Sequence, residues 1–386
     1  MHNTHGTRTH RHPALWLAAT VLSLCILMIS LSGCGPSAEE LAAVEYAPLP
    51  GDDWEVSTPA EQGTDPALIA GLYLDAEDVE TLKSLLVIKN GYLIAEQYYH
   101  NGSIDEKARL QSVTKSVVSA LAGIALDQGY IPSVDERALD YLPESAQGIS
   151  DPRKRDITIR QMLQMRAGFP WEESSQALFE LLYHGFKPSL FADIPLVYDP
   201  GTDMEYSNLT AHLVGITVAQ TTDTDLLSFG EAHLFGPMGI EPGRWTKDWK
   251  GYYNGHADLH MRARDMAKIG LLYLNDGQYG GRQIVSAGWV RDSLATYTEH
   301  AAQYRVGPGY QDIGYGYLWW NARAGSRRFN FAWGHGGQQI TLVDDMDMVI
   351  VVTADPLHGQ HGDLPWKREK ENLNLVGDFI RSLPVQ

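Results

Sequence analysis

Two residues with catalytic potential, Ser112 and Lys115, stand three positions apart at the start of an apolar helical pattern that runs to about residue 127. In an α-helix, positions i and i+3 share a face, with Cβ atoms about 5–6 Å apart. The lysine amine would therefore lie beside the serine hydroxyl and could take its proton, provided that burial lowers the pKa of the amine. The alternative is a serine N-cap followed by a solvated lysine. Because about one Ser-x-x-Lys is expected by chance in a chain of this composition, the spacing alone is weak evidence.

A tyrosine and an asparagine, Tyr206 and Asn208, follow a Pro-Gly turn and precede a second predicted helix at 209–219. At a tight turn the phenol can project into a cleft, and the asparagine amide can donate to a substrate carbonyl. Two other Tyr-x-Asn sequences begin at Tyr252 and Tyr273, so the pattern by itself is not specific. Tyr273 lies in an apolar helical pattern and is expected in the core, whereas Tyr252 lies in a Gly-flanked loop and stays a weaker candidate.

A third candidate segment consists of His335, Gly336 and Gly337, which lead into a predicted strand at 338–343. Adjacent glycines would let a substrate backbone lie against an edge strand, where main-chain groups can bind it. A Gly-rich turn with a surface histidine is the alternative, and taken alone it is at least as good an interpretation of the same residues.

The elements that must position these residues fall into three parts of the chain. β-rich runs at 83–89 and 92–99 are joined by Asn90-Gly91, the strongest short hairpin signal, and further β-rich runs lie at 314–320, 338–343 and 348–353. A mainly helical pattern extends from about 106 to 274, and helices are also predicted at 66–75 and 369–383.

Strands at both ends of the chain predict an α/β protein of the α+β type. Its antiparallel sheet would be built from the N- and C-terminal segments (about 66–104 and 310–386) and flanked by helices, and a mainly helical lobe (about 105–309) would be inserted. The catalytic cleft would then lie between the two lobes.

The N-terminus has the pattern of a secretory leader. Arg8 and Arg11 precede an acid-free apolar run at 14–31, which ends in a small-residue sequence before Cys34. This end resembles the bacterial lipoprotein processing box, so we expect a signal peptide at 1–33, a lipid on Cys34, a flexible tether at 34–65 and the catalytic domain at 66–386. Such a protein would be membrane-anchored in the cell envelope, outside the cytoplasm. An uncleaved transmembrane anchor is the alternative, because 18 apolar residues just suffice to span a bilayer.

Charge and cysteine content exclude several classes of protein. With 30 Lys+Arg against 48 Asp+Glu and no extended cluster of basic residues, nucleic-acid binding is not expected. Two cysteines cannot build a disulfide scaffold or a Cys-rich zinc site. Zinc held by His256 and His260, or by His358 and His361, is a minor alternative, since no His-Glu-x-x-His pattern is present. We expect neither a metal nor an organic cofactor.

The three motifs occur along the chain in the order Ser-x-x-Lys, Tyr-x-Asn and His-x-Gly, and together they resemble the penicillin-recognising serine hydrolases. More specifically, the chain resembles the class C β-lactamase-related family, which includes carboxylesterases, D-alanyl peptidases and 6-aminohexanoate-dimer hydrolases. The resemblance spans about residues 83–353. Apart from the motifs, it rests on the segments 157–163, 263–267 and 314–320, of which the last looks most like the aminohexanoate-dimer-hydrolase branch.

This resemblance implies a role for each candidate residue. Ser112 would be the acylated nucleophile, Lys115 its proton acceptor and Tyr206 the group that relays protons to the leaving group and the deacylating water. The remaining implied groups are the oxyanion-hole N–H groups of Ser112 and Gln338 and the substrate-binding residues Asn208, His335, Gly336, Gly337, Trp171 and Trp333.

One departure from the family bears on the substrate. β-Lactamases of this class carry Lys-Thr-Gly at the third motif, where the lysine and threonine help to bind the carboxylate of the antibiotic. His335 and Gly336 replace them here, so we expect an ester or small amide without that carboxylate. A β-lactamase or D-alanyl-D-alanine peptidase, and a sensor that acylates without turnover, are the alternatives. An α/β-hydrolase is excluded because no Gly-x-Ser-x-Gly is present.

Overall fold

The computed structural model describes residues 36–44, 48–49, 51, 53–142, 144–185, 189–299, 301, 306, 309–357 and 364–385. The predicted leader, the proposed lipidation site Cys34 and the histidines His358 and His361 lie outside these residues. The chain divides into two compact units, Met1–Ala43 and Val44–Gln386. Within the described part of the chain, no helix is both long enough and apolar enough to cross a membrane.

Strands lie near both ends of the described chain and helices between them, as the sequence predicts, but short strands also occur within the stretch predicted as mainly helical. The strands are β1 (Leu82–Lys89), β2 (Tyr92–Tyr98), β3 (Lys107–Arg109), β4 (His260–Arg262), β5 (Gln278–Tyr279), β6 (Arg282–Gln283), β7 (Gln311–Tyr315), β8 (Trp320–Ala324), β9 (Arg327–Gly334), β10 (Gln338–Val343) and β11 (Met348–Ala354). The helices are α1 (Ala38–Ala43), α2 (Pro66–Glu77), α3 (Val113–Asp127), α4 (Ile159–Leu163), α5 (Gln176–Gly185), α6 (Leu190–Asp193), α7 (Asn208–Thr222), α8 (Leu226–Gly230), α9 (Ala263–Leu274), α10 (Ala287–Leu294) and α11 (Leu364–Ser382).

Seven strands form one antiparallel sheet in the order β2-β1-β11-β10-β9-β8-β7. The prediction of a single sheet shared by the two ends of the chain is confirmed. The prediction that the strand after Gly337 lies at an edge is wrong, because β10 is hydrogen-bonded to β9 on one side and to β11 on the other. Two strands, β8 and β9, lie almost entirely between the predicted strands at 314–320 and 338–343, where the sequence predicted no strand.

Helices cover the sheet, and one of them, α3, is buried inside the domain. All residues of β10 and β11 are buried, as expected for strands packed on both faces. Helix α9 packs against β1, β10 and β11, while α11 packs against α2, β8 and β11. Helix α3 is buried from Val113 to Ala125 and packs against α7 and β9. The residue before α3, Ser112, therefore stands on a rigid support.

Part of the predicted tether is attached to the catalytic domain. The guanidinium of Arg264 donates to the Asp53 carboxylate and to the carbonyl of Leu49, and the Leu49 N–H donates to the buried carboxylate of Glu96. These polar contacts anchor residues that composition alone suggested were flexible. The closing helix also begins earlier than predicted, at Leu364 rather than residue 369.

Candidate active site

Ser112 stands at the N-cap position of α3 but does not act as a cap. Its side chain makes no capping hydrogen bond, and its Oγ instead accepts a hydrogen bond of 2.9 Å from Lys115 Nζ. The preceding residue, Gln111, has φ +51°, in the left-handed region that is costly for a non-glycine residue. The backbone thus enters the helix through a strained turn. The arrangement matches the catalytic interpretation of the Ser-x-x-Lys spacing rather than the capping alternative.

Lys115 is 1 % exposed and is surrounded by acceptors. Besides Ser112 Oγ, its Nζ donates to Asn208 Oδ1 and to the carbonyl of His256, both at 2.8 Å. Burial lowers the pKa of Lys115 to about 7, although Glu173 and Glu172 nearby oppose this shift. When the amine is neutral, its two N–H groups donate to Asn208 and His256 and its lone pair faces Ser112, so the hydrogen bond between them reverses and the serine hydroxyl donates. The site therefore holds a base next to Ser112 near neutral pH.

Tyr206 packs against the amine of Lys115. Lys115 Nζ lies 4.7 Å from the centre of the phenol ring, and Tyr206 is 8 % exposed. The ring stacks on Trp320 at 5.4 Å and meets Tyr315 edge-on at 6.3 Å. The predicted catalytic trio is thus brought together in space. The Tyr-Gly-Tyr-Leu-Trp-Trp segment, noted only for its resemblance, supplies two of the aromatic side chains that hold Tyr206.

Glu172, which the sequence analysis missed, holds the turn that carries Tyr206. Its buried carboxylate accepts from Ser207 Oγ at 2.7 Å, from the Asn208 N–H at 2.8 Å and from the Leu209 N–H at 3.1 Å. Burial raises its pKa to about 7, although these donors oppose the rise. The neighbouring Glu173 accepts from Asn208 Nδ2 at 3.0 Å. The two glutamates fix both the start of α7 and the amide that contacts Lys115.

Replacing Glu172 with alanine is expected to lower the free energy of unfolding by at least about 2 kcal/mol, because three buried donors lose their acceptor. Turnover should fall as well, since the turn that positions Tyr206 loses its anchor. Chemical denaturation and kcat measure the two effects. Glu173→Ala is the matched control: the Glu173 side chain is exposed to solvent, so the loss of stability should stay below about 1 kcal/mol. Equal stability losses in the two variants would contradict this assignment.

A buried histidine–aspartate pair supports the loop that supplies the third acceptor of Lys115. His212 Nε2 bonds to Asp248 Oδ2 at 2.9 Å, and His212 Nδ1 accepts from the Gly255 N–H at 3.0 Å. The side chains of His212 and Asp248 are only 1 % and 2 % exposed. Next to Gly255 lies His256, whose pKa is held well below its usual value mainly by burial, so its ring is neutral. The pair thus fixes the backbone from which the His256 carbonyl meets Lys115.

The third motif forms the turn between β9 and β10. His335 Nδ1 lies 2.8 Å from Glu369 Oε2, and this hydrogen bond raises the pKa of His335. The same buried carboxylate accepts from Trp333 Nε1 at 2.7 Å and from the Gly336 N–H at 2.9 Å. Trp333 in turn contacts Trp320, the ring on which Tyr206 stacks. His335 is therefore a half-exposed imidazole held by Glu369, not a freely projecting side chain.

Both glycines of this turn are required by its geometry. Gly336 and Gly337 have φ +84° and +95°. A Cβ would lie 2.6 Å from Pro356 Cα at the first position and 2.5 Å from Asn372 Cβ at the second. The turn itself thus accounts for the two glycines, and their predicted contact with substrate stays a prediction. The same holds for Trp171, a half-buried residue directly before Glu172.

Gln338 lies close to the segment that enters Ser112. Its side-chain amide donates to the Ala354 carbonyl at 2.7 Å and accepts from the Ala354 N–H at 3.0 Å, so the side chain is committed to β11. Its strand partner Gly334 is packed so tightly that a Cβ there would lie 2.3 Å from the Leu110 carbonyl. Gln338 and the segment that leads into Ser112 therefore lie close together, as an oxyanion hole formed by the N–H groups of Ser112 and Gln338 requires.

The histidine pair considered for zinc does not fall on a helix. His256 lies in a turn with its carbonyl on Lys115, and His260 begins β4 with its Nδ1 facing the carbonyls of Arg244 and Asp258. Among the described residues, no group of three or more His, Cys, Asp or Glu side chains could hold a metal ion. The side chains gathered around Ser112 are those of covalent acyl transfer.

Comparison with known proteins agrees with this chemistry. Residues 83–371 match the family model described as beta-lactamase. A 6-aminohexanoate-dimer hydrolase of Paenarthrobacter ureafaciens is 24 % identical over 285 residues, which cover 69 % of this chain and 71 % of that protein.

Two solved structures share the fold. One, named as a 6-aminohexanoate-dimer hydrolase from Bacillus anthracis, has a TM-score of 0.63 and 19 % identity, with 91 % of each chain covered. The other, EstCE1, a hydrolase with promiscuous acyltransferase activity, has a TM-score of 0.63 and 16 % identity, with 80 % of this chain and 97 % of that chain covered.

Proposed function

The chain belongs to the beta-lactamase family of serine hydrolases, and we propose that it cleaves ester or small amide bonds through an acyl-enzyme on Ser112. The observation that carries this proposal is the hydrogen bond between Lys115 Nζ and Ser112 Oγ inside a buried site that holds the pKa of the amine near 7. A serine hydroxyl becomes an effective nucleophile only when such a base takes its proton.

The proposed reaction has two halves. Neutral Lys115 takes the proton of Ser112 Oγ while the oxygen attacks the substrate carbonyl, and the N–H groups of Ser112 and Gln338 bind the oxyanion. Tyr206 then relays the proton from Lys115 to the leaving group, and the acyl-enzyme remains. In the second half the same groups take a proton from water, water attacks the acyl carbonyl, and Ser112 recovers its proton. Preorganised donors of this kind are worth about 2.7–4 kcal/mol each in the transition state.

Esters and linear amides of the 6-aminohexanoate-dimer type are the substrates we propose. Two observations support them: the relative of that name, and the third motif, where Gly336 lacks a hydroxyl and His335 is held by Glu369. Steady-state rates on p-nitrophenyl butyrate, a 6-aminohexanoate dimer and nitrocefin test the assignment. We expect turnover of the ester or the dimer at rates well above that of nitrocefin.

Two other outcomes would each replace this assignment. Rapid turnover of nitrocefin would indicate a β-lactamase, and rapid release of D-alanine from a D-alanyl-D-alanine peptide would indicate a peptidase. A burst of p-nitrophenol equal to the enzyme concentration, followed by no further release, would indicate a sensor that acylates without turning over.

We also propose that the mature protein begins at Cys34 and is held at the cell envelope by a lipid on this residue. The support is the sequence pattern: basic residues, an apolar run without acidic residues and a small-residue sequence before Cys34. Loss of Arg8 and Arg11 with the leader would change the net charge from −18 to −20. Mass spectrometry of the N-terminal peptide of the protein isolated from membranes tests this, and an unmodified Cys34 would contradict it.

A further inference from the structure

A short two-stranded ribbon beside Ser112 carries a concentration of positive charge that contrasts with the net charge of −18. Strands β3 and β4 pair antiparallel with Lys107 opposite Arg262 and Arg109 opposite His260. Directly opposite residues share one face of a ribbon, as do residues two apart on one strand. All four basic side chains therefore lie on one face, whereas the central residues of both strands, Ala108 and Met261, are buried on the other.

The ribbon continues directly into the catalytic residues on both of its strands. After Arg109, the Leu110 N–H donates to the Leu259 carbonyl at 2.9 Å, and Ser112 follows two positions later. On the other strand, the segment before Leu259 contains His256, whose carbonyl accepts from Lys115. Three residues of chain span at most about 10 Å, so the basic face lies within reach of a substrate acylated on Ser112.

A cavity of about 290 Å³ opens at this face, lined by Arg109, Arg244, Thr246, Asp258 and His260. Asp258 does not leave it acidic, because Arg109 forms an ion pair with this carboxylate and offsets its charge. Oδ1 accepts from Arg109 Nε at 2.6 Å, and Oδ2 accepts from Thr246 Oγ1 at 2.8 Å. His260 Nδ1 faces two carbonyl oxygens, at 2.9 and 3.1 Å, so this nitrogen carries the proton and donates.

Two cations at this face have no competing anion. Arg244 is exposed at the cavity, and Lys107 lies against Gly243, where its Cδ would be 2.9 Å from an added Cβ. In the part of the chain that the structure describes, neither side chain has a hydrogen-bond or ion-pair partner. Arg109 and Arg262, by contrast, are paired with Asp258 and Asp265. The face thus offers two uncommitted cations in addition to its paired ones.

The basic face is linked electrostatically to the third motif through Arg109. Arg109 is among the charged groups that act on His335, where it opposes the rise in the pKa caused by the hydrogen bond to Glu369. The positive charge that the third motif lacks, relative to the Lys-Thr-Gly of related enzymes, is therefore present nearby on different residues.

Resting on the proposed function, we propose that the face formed by Lys107, Arg109, Arg244 and His260 binds a carboxylate at the far end of the substrate. Substrates would then be esters or amides whose acyl chain ends in a carboxylate. Guanidinium and ammonium groups are the donors that pair best with carboxylates, and Arg244 can offer a bidentate contact. This substrate class differs from the 6-aminohexanoate dimer, whose acyl chain ends in an amine and whose carboxylate lies on the leaving group.

A pair of matched chromogenic esters tests the proposal: mono-p-nitrophenyl adipate and p-nitrophenyl hexanoate, which have six-carbon acyl chains and differ in the terminal carboxylate. The wild-type enzyme is expected to prefer the adipate in kcat/KM by about three- to tenfold at low salt, and added salt should weaken this preference. Arg244→Gln and Lys107→Gln should each reduce the preference, mainly through a higher KM for the adipate.

Arg282→Gln is the matched control, because Arg282 is exposed on β6 and its substitution also removes one positive charge. It should leave the preference unchanged. No preference in the wild type, or an equal effect of Arg282→Gln and Arg244→Gln, would overturn the proposal. If neither ester is hydrolysed, the proposed hydrolase function fails while the anion site stays open to test. Calorimetric measurement of adipate binding then decides whether the basic face binds a carboxylate. Binding that is weakened by Arg244→Gln supports the anion site, and absence of binding overturns it.

Discussion

Replacing Ser112 with alanine is expected to reduce kcat for any ester or amide substrate by at least about 10⁴-fold and to abolish labelling by a fluorophosphonate probe. Covalent catalysis needs the oxygen that this substitution removes, and Lys115 then has no hydroxyl beside it to deprotonate. Binding and the main-chain oxyanion hole would remain, so a small residual rate over the uncatalysed reaction is compatible with this result.

Stability distinguishes the loss of the nucleophile from the loss of the fold. Ser112 Oγ accepts one hydrogen bond and does not cap α3, so the alanine variant should unfold within about 1 kcal/mol of the wild type. Ser119→Ala is the matched control, because it makes the same change two turns along the same helix, where Ser119 Oγ meets Ser293 Oγ at a long 3.5 Å. This control should keep its labelling. Labelling that survives in Ser112→Ala would show that another residue is the nucleophile.

The parts of the fold that the sequence predicted are those with strong local signals. Asn90-Gly91 and its flanking apolar runs predicted the β1–β2 hairpin, and the apolar pattern after Ser112 predicted α3 to its last residue, Asp127. The Ser-x-x-Lys spacing predicted the contact between two side chains because helix geometry alone brings them together. Each of these inferences depends on neighbours within a few positions of one another.

The parts that were missed depend on contacts between distant segments. Glu172 and Glu173 are adjacent and chemically alike, and only the packing of α7 decides that the first is buried and the second exposed. His212 and Asp248 are 36 positions apart. No periodicity in the sequence links them, because their pairing arises from the return of a loop over α7.

Strand order and the clustering of surface charge could not be predicted from the sequence, because they also depend on contacts between distant segments. The sequence predicted β10, but its two hydrogen-bonded neighbours follow from the placement of β9 and β11, so an edge position was assumed wrongly. The basic residues of this face are scattered along the chain, yet pairing of β3 with β4 joins residues about 150 positions apart into one face. A count of charges along the chain cannot detect such a cluster.

Activity should depend on pH through the protonation of Lys115. Its pKa of about 7 means that the amine is charged below this pH and neutral above it. Since only the neutral amine can take the serine proton, kcat/KM should rise about tenfold per pH unit below 7 and level off above it. Glu173 holds the pKa of Lys115 up, so Glu173→Gln should move this rise to lower pH.

The same pH range contains a second titration, which a variant can remove. The pKa of Glu172 is also raised to about 7 by burial, so an activity profile alone does not assign the rise. In Glu172→Gln this carboxyl no longer titrates. A rise that persists in this variant, moved to lower pH because Glu172 also holds the pKa of Lys115 up, belongs to Lys115, whereas a flat profile would assign the titration to Glu172 instead.

Two substitutions at Lys115 itself separate its basicity from its charge. Lys115→Met removes both and should lower kcat by about 10²–10⁴-fold, the usual contribution of a positioned base. Lys115→Arg keeps a cation near Ser112 and Asn208, but this cation cannot act as a base, since a guanidinium stays protonated at any accessible pH. If Lys115 acts as the base, arginine should be as inactive as methionine and its residual rate should show no rise near pH 7. If positive charge alone sufficed, Lys115→Arg would retain most of its activity, and the pH dependence would have to come from another group.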